Sequence, residues 1–309
     1  MKQNSVGIVI ATYNMKQKLQ ECLSGVFKLK WPSIYICIVD DGSTDGTWET
    51  LLQEYPNIFK IHGDGNLWWA GATNKGIKHC LSKGCEYILL LNPDTLVRPD
   101  TISHLVTVSQ INNGAIAASV VVRSDDSNII WWAGCDKWAP IHRWLPIWCT
   151  KYFFKQGTKL NKIPENPYYT SEAHGRGVLV PKEVFKTIGF YDEYYLPQYG
   201  ADTDFSHRAT SAGFLILVVP KARVSLHINN TGRKVPYNFF KAILEYWKFL
   251  TKRKNGEILR VWWHLLTRHI PIYAILPTYI FIISLNTFRY WQDYFHLKKN
   301  CSHKKLNCN

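Results

Sequence analysis

The chain has 309 residues, enough to bury one sizeable core and carry an appended element, but hardly two full enzymes. Hydrophobic residues make up 46% and charged residues 19%, a globular composition that excludes intrinsic disorder. The formal net charge is +14, and the excess sits almost wholly in the last third, where residues 221–309 hold sixteen Lys or Arg against three acidic residues.

A basic block of this kind serves nucleic acid, an anionic membrane surface or solubility. With no zinc-finger spacing, RNA-binding signature or arginine-rich arm, no nucleic-acid partner is expected. The eight cysteines form no CxxC pair and several fall on apolar faces, which fits buried free thiols in a reducing compartment. A strand pattern begins within six residues of the N-terminus, so no signal peptide is expected and the protein is placed in the cytoplasm.

In chain order, residues 6–11 form a short apolar run of buried-strand type, and Leu19, Cys22, Leu23, Val26 and Phe27 then recur at helical spacing. Residues 34–39 are a second strand ending in the turn chemistry of Asp40-Asp41-Gly42-Ser43-Thr44-Asp45-Gly46. A short helix with Trp48, Leu51 and Leu52 follows, then a strand around 57–61, a small-residue helix over 70–81 and the apolar run 87–91. This alternation predicts a parallel sheet with helices on both faces. In such sheets ligands bind beyond the carboxyl ends of strands, which makes Asp40, Asp41 and Asn92-Pro93-Asp94 candidate site residues. Pro99-Asp100 opens a further helix with Pro99 in its first turn, and residues 115–122 are a strand. Periodicity weakens over 131–169, which reads as a long excursion over the site. Order returns with helices over 181–188 and 205–211 and two strands, 215–219 and 222–226.

The C-terminal character differs. Residues 237–250 are helical with Phe240, Ile243, Leu244 and Trp247 on one side, followed by Lys252-Arg253-Lys254. Residues 260–266 mix tryptophan, aliphatics and cations as interfacial helices do, and the nineteen residues 270–288 carry no charge. Three readings stand open for that stretch: a helix in the membrane interface, a buried packing helix, or a span. Pro271, Pro277 and Asn286 count against a span, while Lys298, Lys299, Lys304 and Lys305 suit anionic headgroups. The same segment could instead bury itself in a homodimer.

Several residues suggest chemistry. Asp40 and Asp41 either accept hydrogen bonds from a nucleobase or ribose or cap the turn that follows. Asp94 and Asn92 bring two oxygen-bearing side chains together at a strand end, as a magnesium or manganese ion bridging a diphosphate requires. His227 ends a strand and is either structural or a ligand near Asp94. Of Asp202 and Asp204, one is a candidate general base and the other a cap or a partner for Arg208. Trp132, like Trp131, Trp138, Trp144 and Trp148, either stacks on a bound ligand or packs.

Taken together, Val9-Ile10-Ala11-Thr12-Tyr13-Asn14, Val39-Asp40-Asp41-Gly42-Ser43, Asn66-Leu67-Trp68-Trp69-Ala70-Gly71-Ala72-Thr73-Asn74, Leu91-Asn92-Pro93-Asp94-Thr95, Gly189-Phe190-Tyr191-Asp192-Glu193 and Asp202-Thr203-Asp204 resemble family 2 nucleotide-sugar glycosyltransferases. The likeness is strongest to the bacterial rhamnosyltransferase-type members that build capsule or O-antigen, and it runs over about residues 5–230. It implies a GT-A fold: an α/β domain with a mostly parallel central sheet flanked by helices, and a helical C-terminal extension. The implied organisation is a catalytic domain over 1–230, with a nucleotide-sugar half to about 122 and an acceptor half from 123, then a basic amphipathic extension over 231–309.

By matching position, the resemblance implies that Asp40 lies by the base with Thr12 and Asn14 in the same pocket, and that Asp41, Asn66, Gly71, Asn74 and Asn92 line the donor. Asp94 matches the last residue of the metal-binding DxD motif, with Asn92 in place of its first aspartate, and His227 completes the Mn2+ or Mg2+ site. Asp202 matches the catalytic base; Ala201 stands where many members carry glutamate. The implied reaction is an inverting displacement from a nucleotide-sugar donor, dTDP-rhamnose or a UDP-sugar, to a glycan or lipid-linked glycan acceptor, by an enzyme peripheral on the cytoplasmic face of the membrane. Nucleotidyl transfer would require a glycine-rich basic loop after the first strand, where Thr12-Tyr13-Asn14-Met15 stands. A non-catalytic scaffold would be marked by loss of Asp94 or Asp202, and both are present.

Overall fold

The computed structural model describes residues 4–142, 144–227, 236, 238–252 and 258–304. Tyr237, Arg253, Lys254 and Lys305 lie outside the described residues, as do the side chains of Trp138, Lys298, Lys299 and Lys304. The chain divides into two units, one of Met1–Lys137, Thr150–Pro197 and Ala201–Ile228, the other of Trp138–Cys149, Gln198–Gly200 and Asn229–Asn309.

In the first unit the strands β1 (Val6–Thr12), β2 (Ile34–Asp40), β3 (Phe59–His62) and β4 (Tyr87–Leu91) are parallel neighbours in the order β4-β1-β2-β3. Their connections are α1 (Lys16–Val26), α2 (Thr47–Glu54) and α3 (Trp68–Ser82). β1 and β4 are buried at every position, as expected of strands covered on both faces. The sheet continues beyond β4 through β11 (Val178–Pro181), β6 (Ile116–Arg123), β12 (Ile216–Leu226) and β10 (Tyr168–Tyr169). Two short strands, β5 (Thr95–Val97) and β7 (Ile130–Trp132), pair antiparallel with β12 and β6. The helices α4 (Thr101–Ile111), α5 (Lys182–Ile188) and α6 (Ala201–Ser211) complete the unit.

The sheet is therefore mixed rather than mostly parallel, because β11 runs antiparallel to both β4 and β6. Its four residues are too few to show a period of two, and they merge in the sequence with the helix that follows. Pro181 is accordingly the N-cap of α5, in extended backbone, not a helical residue. Pro99 likewise precedes α4, which starts at Thr101. The predicted strands 215–219 and 222–226 are one strand, β12, whose register on β6 shifts between Val219 and Arg223, a bulge that accommodates Pro220. The excursion over 131–169 contains regular structure: β8 (Cys135–His142) and β9 (Leu145–Tyr152) form a two-stranded ribbon.

Small residues on α3 set how closely it lies on the sheet. A Cβ at Gly76 would stand 2.5 Å from Val9 Cγ1 and 3.3 Å from Val39 Cγ2, so the helix backbone rests directly on β1 and β2.

The second unit contains α7 (Phe239–Thr251), α8 (Ile258–His269) and α9 (Ile272–Lys304). Asn238 caps α7, its side chain accepting from the Lys241 N–H at 3.1 Å. Ala242 of α7 packs with Tyr290 and Tyr294 of α9, Tyr246 and Trp291 against them, and the Tyr290 hydroxyl donates to the Ala242 carbonyl at 2.7 Å. Thr278, fully buried, accepts the Trp148 N–H at 3.1 Å. Among the described residues one helix, over Ile272–His296, is long and apolar enough to cross a membrane, with a mean hydropathy of 1.3 and 17% of that window buried.

Substituting Gly76→Ala should displace α3 from β1. We expect a loss of about 1–3 kcal/mol by urea denaturation, with the m-value unchanged.

Candidate functional site

The parallel register sets Thr12 beside Asp40 and Asp40 beside His62 at the carboxyl ends of β1, β2 and β3. Asp40 is fully buried, accepts a short hydrogen bond from the Ser43 hydroxyl, and lies 3.7 Å from His62 Nδ1. Burial pushes its carboxyl above the usual range, against the Ser43 hydrogen bonds that lower it. Asn14, at φ 50°, ties the loops after β1 and β2 together: its Oδ1 accepts the Thr44 N–H at 2.7 Å and its own N–H donates to Ser43 Oγ at 2.8 Å. The Thr12 hydroxyl is buried without a hydrogen-bond partner.

Asp41 has a different role from Asp40. Its Oδ1 accepts the N–H groups of Gly65 and Leu67 at 3.0 and 3.1 Å, and its Oδ2 that of Trp68 at 2.8 Å. It thus caps the start of α3 from across the sheet, satisfying donors that have no partner within the helix. Asn66 is exposed, with its N–H on Asp64 Oδ1 at 3.0 Å. Gly71 is buried in the first turns of α3. Asn74 is buried and its amide is fully engaged: Nδ2 donates to the Tyr191 carbonyl and Glu193 Oε2 at 2.9 and 2.8 Å, and Oδ1 accepts the Tyr191 N–H at 3.0 Å.

Beyond β4, Asn92 Oδ1 accepts the Trp69 indole N–H at 3.0 Å. Asp94 is buried, and its Oδ1 has no hydrogen-bond donor; the nearest cation is Arg176, with Nε 4.0 Å away. The Asp94 charge adds to burial in pushing the Cys22 thiol up to about 12. The His227 N–H reaches the Asp94 carbonyl at 3.4 Å, and its ring Nε2 lies 2.9 Å from Glu21 Oε2 without the alignment of a hydrogen bond. Among the described residues no three of His, Cys, Asp and Glu converge on one point. The oxygen of Asp94 without a donor is the feature that fits a divalent cation, since a buried carboxylate oxygen otherwise requires one.

Asp202 and Asp204 lie inside the first turn of α6, not before the helix. Asp204 is buried and paired with Arg208 Nε at 2.7 Å, and the same guanidinium donates to the carbonyls of Ile188 and Phe190 at 2.6 and 2.7 Å. That pair anchors α6 to the segment after α5. Asp202 faces the other way in its contacts: Oδ2 accepts the Gly175 N–H at 3.4 Å and lies 4.0 Å from His174 Nδ1, while Oδ1 is buried without a partner. Burial, with a smaller contribution from the Glu172 charge, raises its pKa to about 7. Trp132 is buried and meets the His174 ring edge-on at 5.1 Å between centroids.

The segment Glu172-Ala173-His174-Gly175-Arg176, which sequence reasoning passed over, joins these pieces. Glu172 is buried in an ion pair with Lys137 Nζ at 3.4 Å and a short hydrogen bond from Thr203. Against the upward push of burial, chiefly the Lys137 charge holds Glu172 at about 2. Burial lowers the His174 pKa. Gly175 is required sterically, since a Cβ there would stand 2.5 Å from Trp69 Cζ2. The available sequence signal was a run of charged and small residues immediately before the apolar stretch 178–180, at the opposite end of a strand from the one that marked Asp40 and Asp94.

Residues 7–174 match the profile of Glycosyl transferase family 2, more than half of the chain, and the chain belongs to that family. It is 27% identical over 236 residues to the dTDP-rhamnosyl transferase RfbF of Shigella flexneri, covering 75% of this chain and 72% of that protein. It is 23% identical over 283 residues to the N-acetylglucosaminyl-diphospho-decaprenol L-rhamnosyltransferase of Mycobacterium tuberculosis, covering 83% and 85%. In fold it resembles the crystal structure of GalNAc-T7 with UDP, GalNAc and Mn2+, at TM-score 0.59 and 18% identity over 87% of this chain, which spans about half (52%) of that one. It also resembles the mannosyltransferase PcManGT of Pyrobaculum calidifontis in complex with GDP-Man and Mn2+, at TM-score 0.53 and 16% identity over 89% of this chain and 67% of that one. The chain is a glycosyltransferase with the GT-A fold.

The raised Asp202 pKa has a consequence for stability. The folded protein holds this proton more tightly than the unfolded chain, so the site's contribution to stability falls as pH rises from about 4 to the folded pKa of about 7, then levels off. Asp202→Asn should therefore gain stability over wild type on the order of 4 kcal/mol at pH 8 and close to nothing at pH 4, read from unfolding curves at both.

Proposed function

We propose that this chain moves a sugar, with inversion, from a nucleotide-diphosphate sugar to a growing lipid-linked cell-surface glycan, with dTDP-rhamnose or a UDP-sugar as donor. The observation that carries the reading is Asp202, a carboxylate of pKa about 7 whose Oδ1 has no partner; a general base works best when its pKa lies near the working pH. The names of the two relatives, a dTDP-rhamnosyl transferase and a rhamnosyltransferase acting on a lipid diphosphate, support the choice of donor and acceptor.

In this reading Asp40 and Thr12 hold the base end of the nucleotide, and Asn14 fixes the loop beside them. The acceptor hydroxyl gives its proton to Asp202 as its oxygen bonds to the anomeric carbon. The bond from that carbon to the diphosphate breaks on the opposite face, its electron pair passing to the diphosphate oxygen. Asp94 would hold the Mn2+ or Mg2+ ion, whose charge offsets that of the leaving diphosphate. Arg176, 4.0 Å from Asp94, adds a fixed cation at the same end. His227 Nε2 faces Glu21 Oε2 at 2.9 Å, and the ring would have to turn from it to reach a metal.

Supporting a peripheral seat on the cytoplasmic face of the membrane, α7 exposes Phe240, Ile243, Leu244 and Trp247 at helical spacing, and α9 exposes Ile272, Tyr273, Leu276 and Ile280. Apolar stripes accompanied by excess Lys and Arg are the pattern of helices that lie in an anionic interface.

Two experiments test the reading. In the first, metal-dependent donor hydrolysis is measured across UDP-, dTDP- and GDP-sugars. Asp202→Asn should lower kcat by about 10²–10⁴-fold while leaving donor affinity within threefold or so, and wild-type kcat should be half-maximal near pH 7. Asp94→Ala should abolish the metal dependence and weaken Mn2+ binding measured directly; absence of nucleotide binding in the wild type would overturn the assignment. In the second, the protein should float with phosphatidylglycerol vesicles at low ionic strength and be released by about 0.5 M salt, as charges screened at that strength require; no flotation at low salt would rule the membrane out.

A further inference from the structure

Next to the reacting carboxylates lies a cleft of about 530 Å³, within the range of small-ligand sites, about 300–1,000 Å³. Trp131, Trp132, Tyr152 and Phe154 form its aromatic walls, and Lys155, His174 and Arg176 supply most of its polar groups. The cleft shares no residue with the base end of the nucleotide site at Thr12, Asn14 and Asp40. It meets the reacting centre through His174, 4.0 Å from Asp202, and Arg176, 4.0 Å from Asp94. A ligand held there would present a hydroxyl to Asp202.

Two features say what that ligand is. Trp132 is only 6% exposed, and its indole N–H is buried with no hydrogen-bond partner. An unmet buried donor is destabilising, and a hydroxyl or ring oxygen of a sugar on the aromatic wall would satisfy it. In addition, no lining residue is acidic. Arg176 and His174 have Asp94 and Asp202 nearby, but Lys155 is a cation that no carboxylate of the cleft wall offsets.

We infer that this cleft is the acceptor subsite of the transfer proposed above, and that it selects a glycan carrying an anionic group, which Lys155 reads. The inference rests on the transferase reading for its role. The anion is either a carboxylate on the acceptor ring, as in a uronic acid, or a phosphoryl group at its reducing end. Both present a charged oxygen cluster within reach of an ammonium, so the shared chemistry is an anionic sugar.

Ligand-observed NMR titrations would compare methyl β-glucuronide, N-acetylglucosamine 1-phosphate and neutral methyl β-glucoside on wild type, Lys155→Met and Trp132→Phe, with UDP and dTDP affinities measured on the same samples. At least one anionic probe should bind about fivefold tighter than the neutral one at low salt, and whichever of the two prevails identifies the source of the charge. Lys155→Met should erase that preference without changing nucleotide affinity. Trp132→Phe, which keeps the aromatic wall but removes the N–H, should weaken all three probes. Equal binding of the three probes, an anionic preference that survives Lys155→Met, or no probe binding while nucleotides still bind would each overturn the subsite and leave the transferase reading intact. Failure of wild type to bind any nucleotide would overturn that reading instead.

Discussion

The site depends on one strand pairing. β11 runs antiparallel to β4 with Val178 opposite Leu90, and the Gly177 N–H donates to the Leu90 carbonyl at 2.8 Å. An antiparallel register brings the residues that follow one strand opposite those that precede the other. The exit of β4, with Asn92 and Asp94, therefore faces the approach to β11, with His174 and Arg176, although some eighty positions separate them in the chain. A purely parallel sheet would send these two segments to opposite edges. The reversal of β11 is what puts Asp94 and the segment that carries His174 and Arg176 within reach of one another.

Electrostatics then divides the work among acidic residues that look alike in the sequence. Glu172 is matched by Lys137 and Thr203 and stays ionised. Asp204 is matched by Arg208, and Asp41 by three backbone donors. Asp202 is left with one long hydrogen bond and an unpartnered oxygen, and the Glu172 charge nearby opposes its ionisation. Environment alone thus separates a carboxylate fit to accept a proton from those fit to hold the scaffold.

The first half of the sheet was legible because its strands are continuous apolar runs ended by turn residues, and length and punctuation suffice to identify such runs. β11, β5 and the β8–β9 ribbon were not, because runs of three or four residues have no period and each strand of the ribbon carries a proline, Pro140 or Pro146, which reads against a strand. At the site, position along a strand marked Asp40 and Asp94, but spacing could not separate Asp40 from Asp41, whose carboxylate serves residues twenty-four to twenty-seven positions away. Nor could it foresee that Asn74 is held by Tyr191 and Glu193 or that His227 is paired with Glu21, since those partners come from distant parts of the chain. Glu172, His174 and Arg176 acquire meaning only through the β4–β11 register.

The absence of a side chain at Gly175 reaches beyond packing. Its backbone lies against the Trp69 ring, its N–H holds Asp202, and Trp69 in turn holds Asn92. A change in the loop that opens α3 would be transmitted through that ring to the Asp202 carboxylate. If the proposed reaction holds, donor preference and acceptor reactivity are not modular: a library that varies residues 63–69 to admit a different activated sugar will also retune the acidity of Asp202, and will recover activity mainly from clones that leave the indole in place.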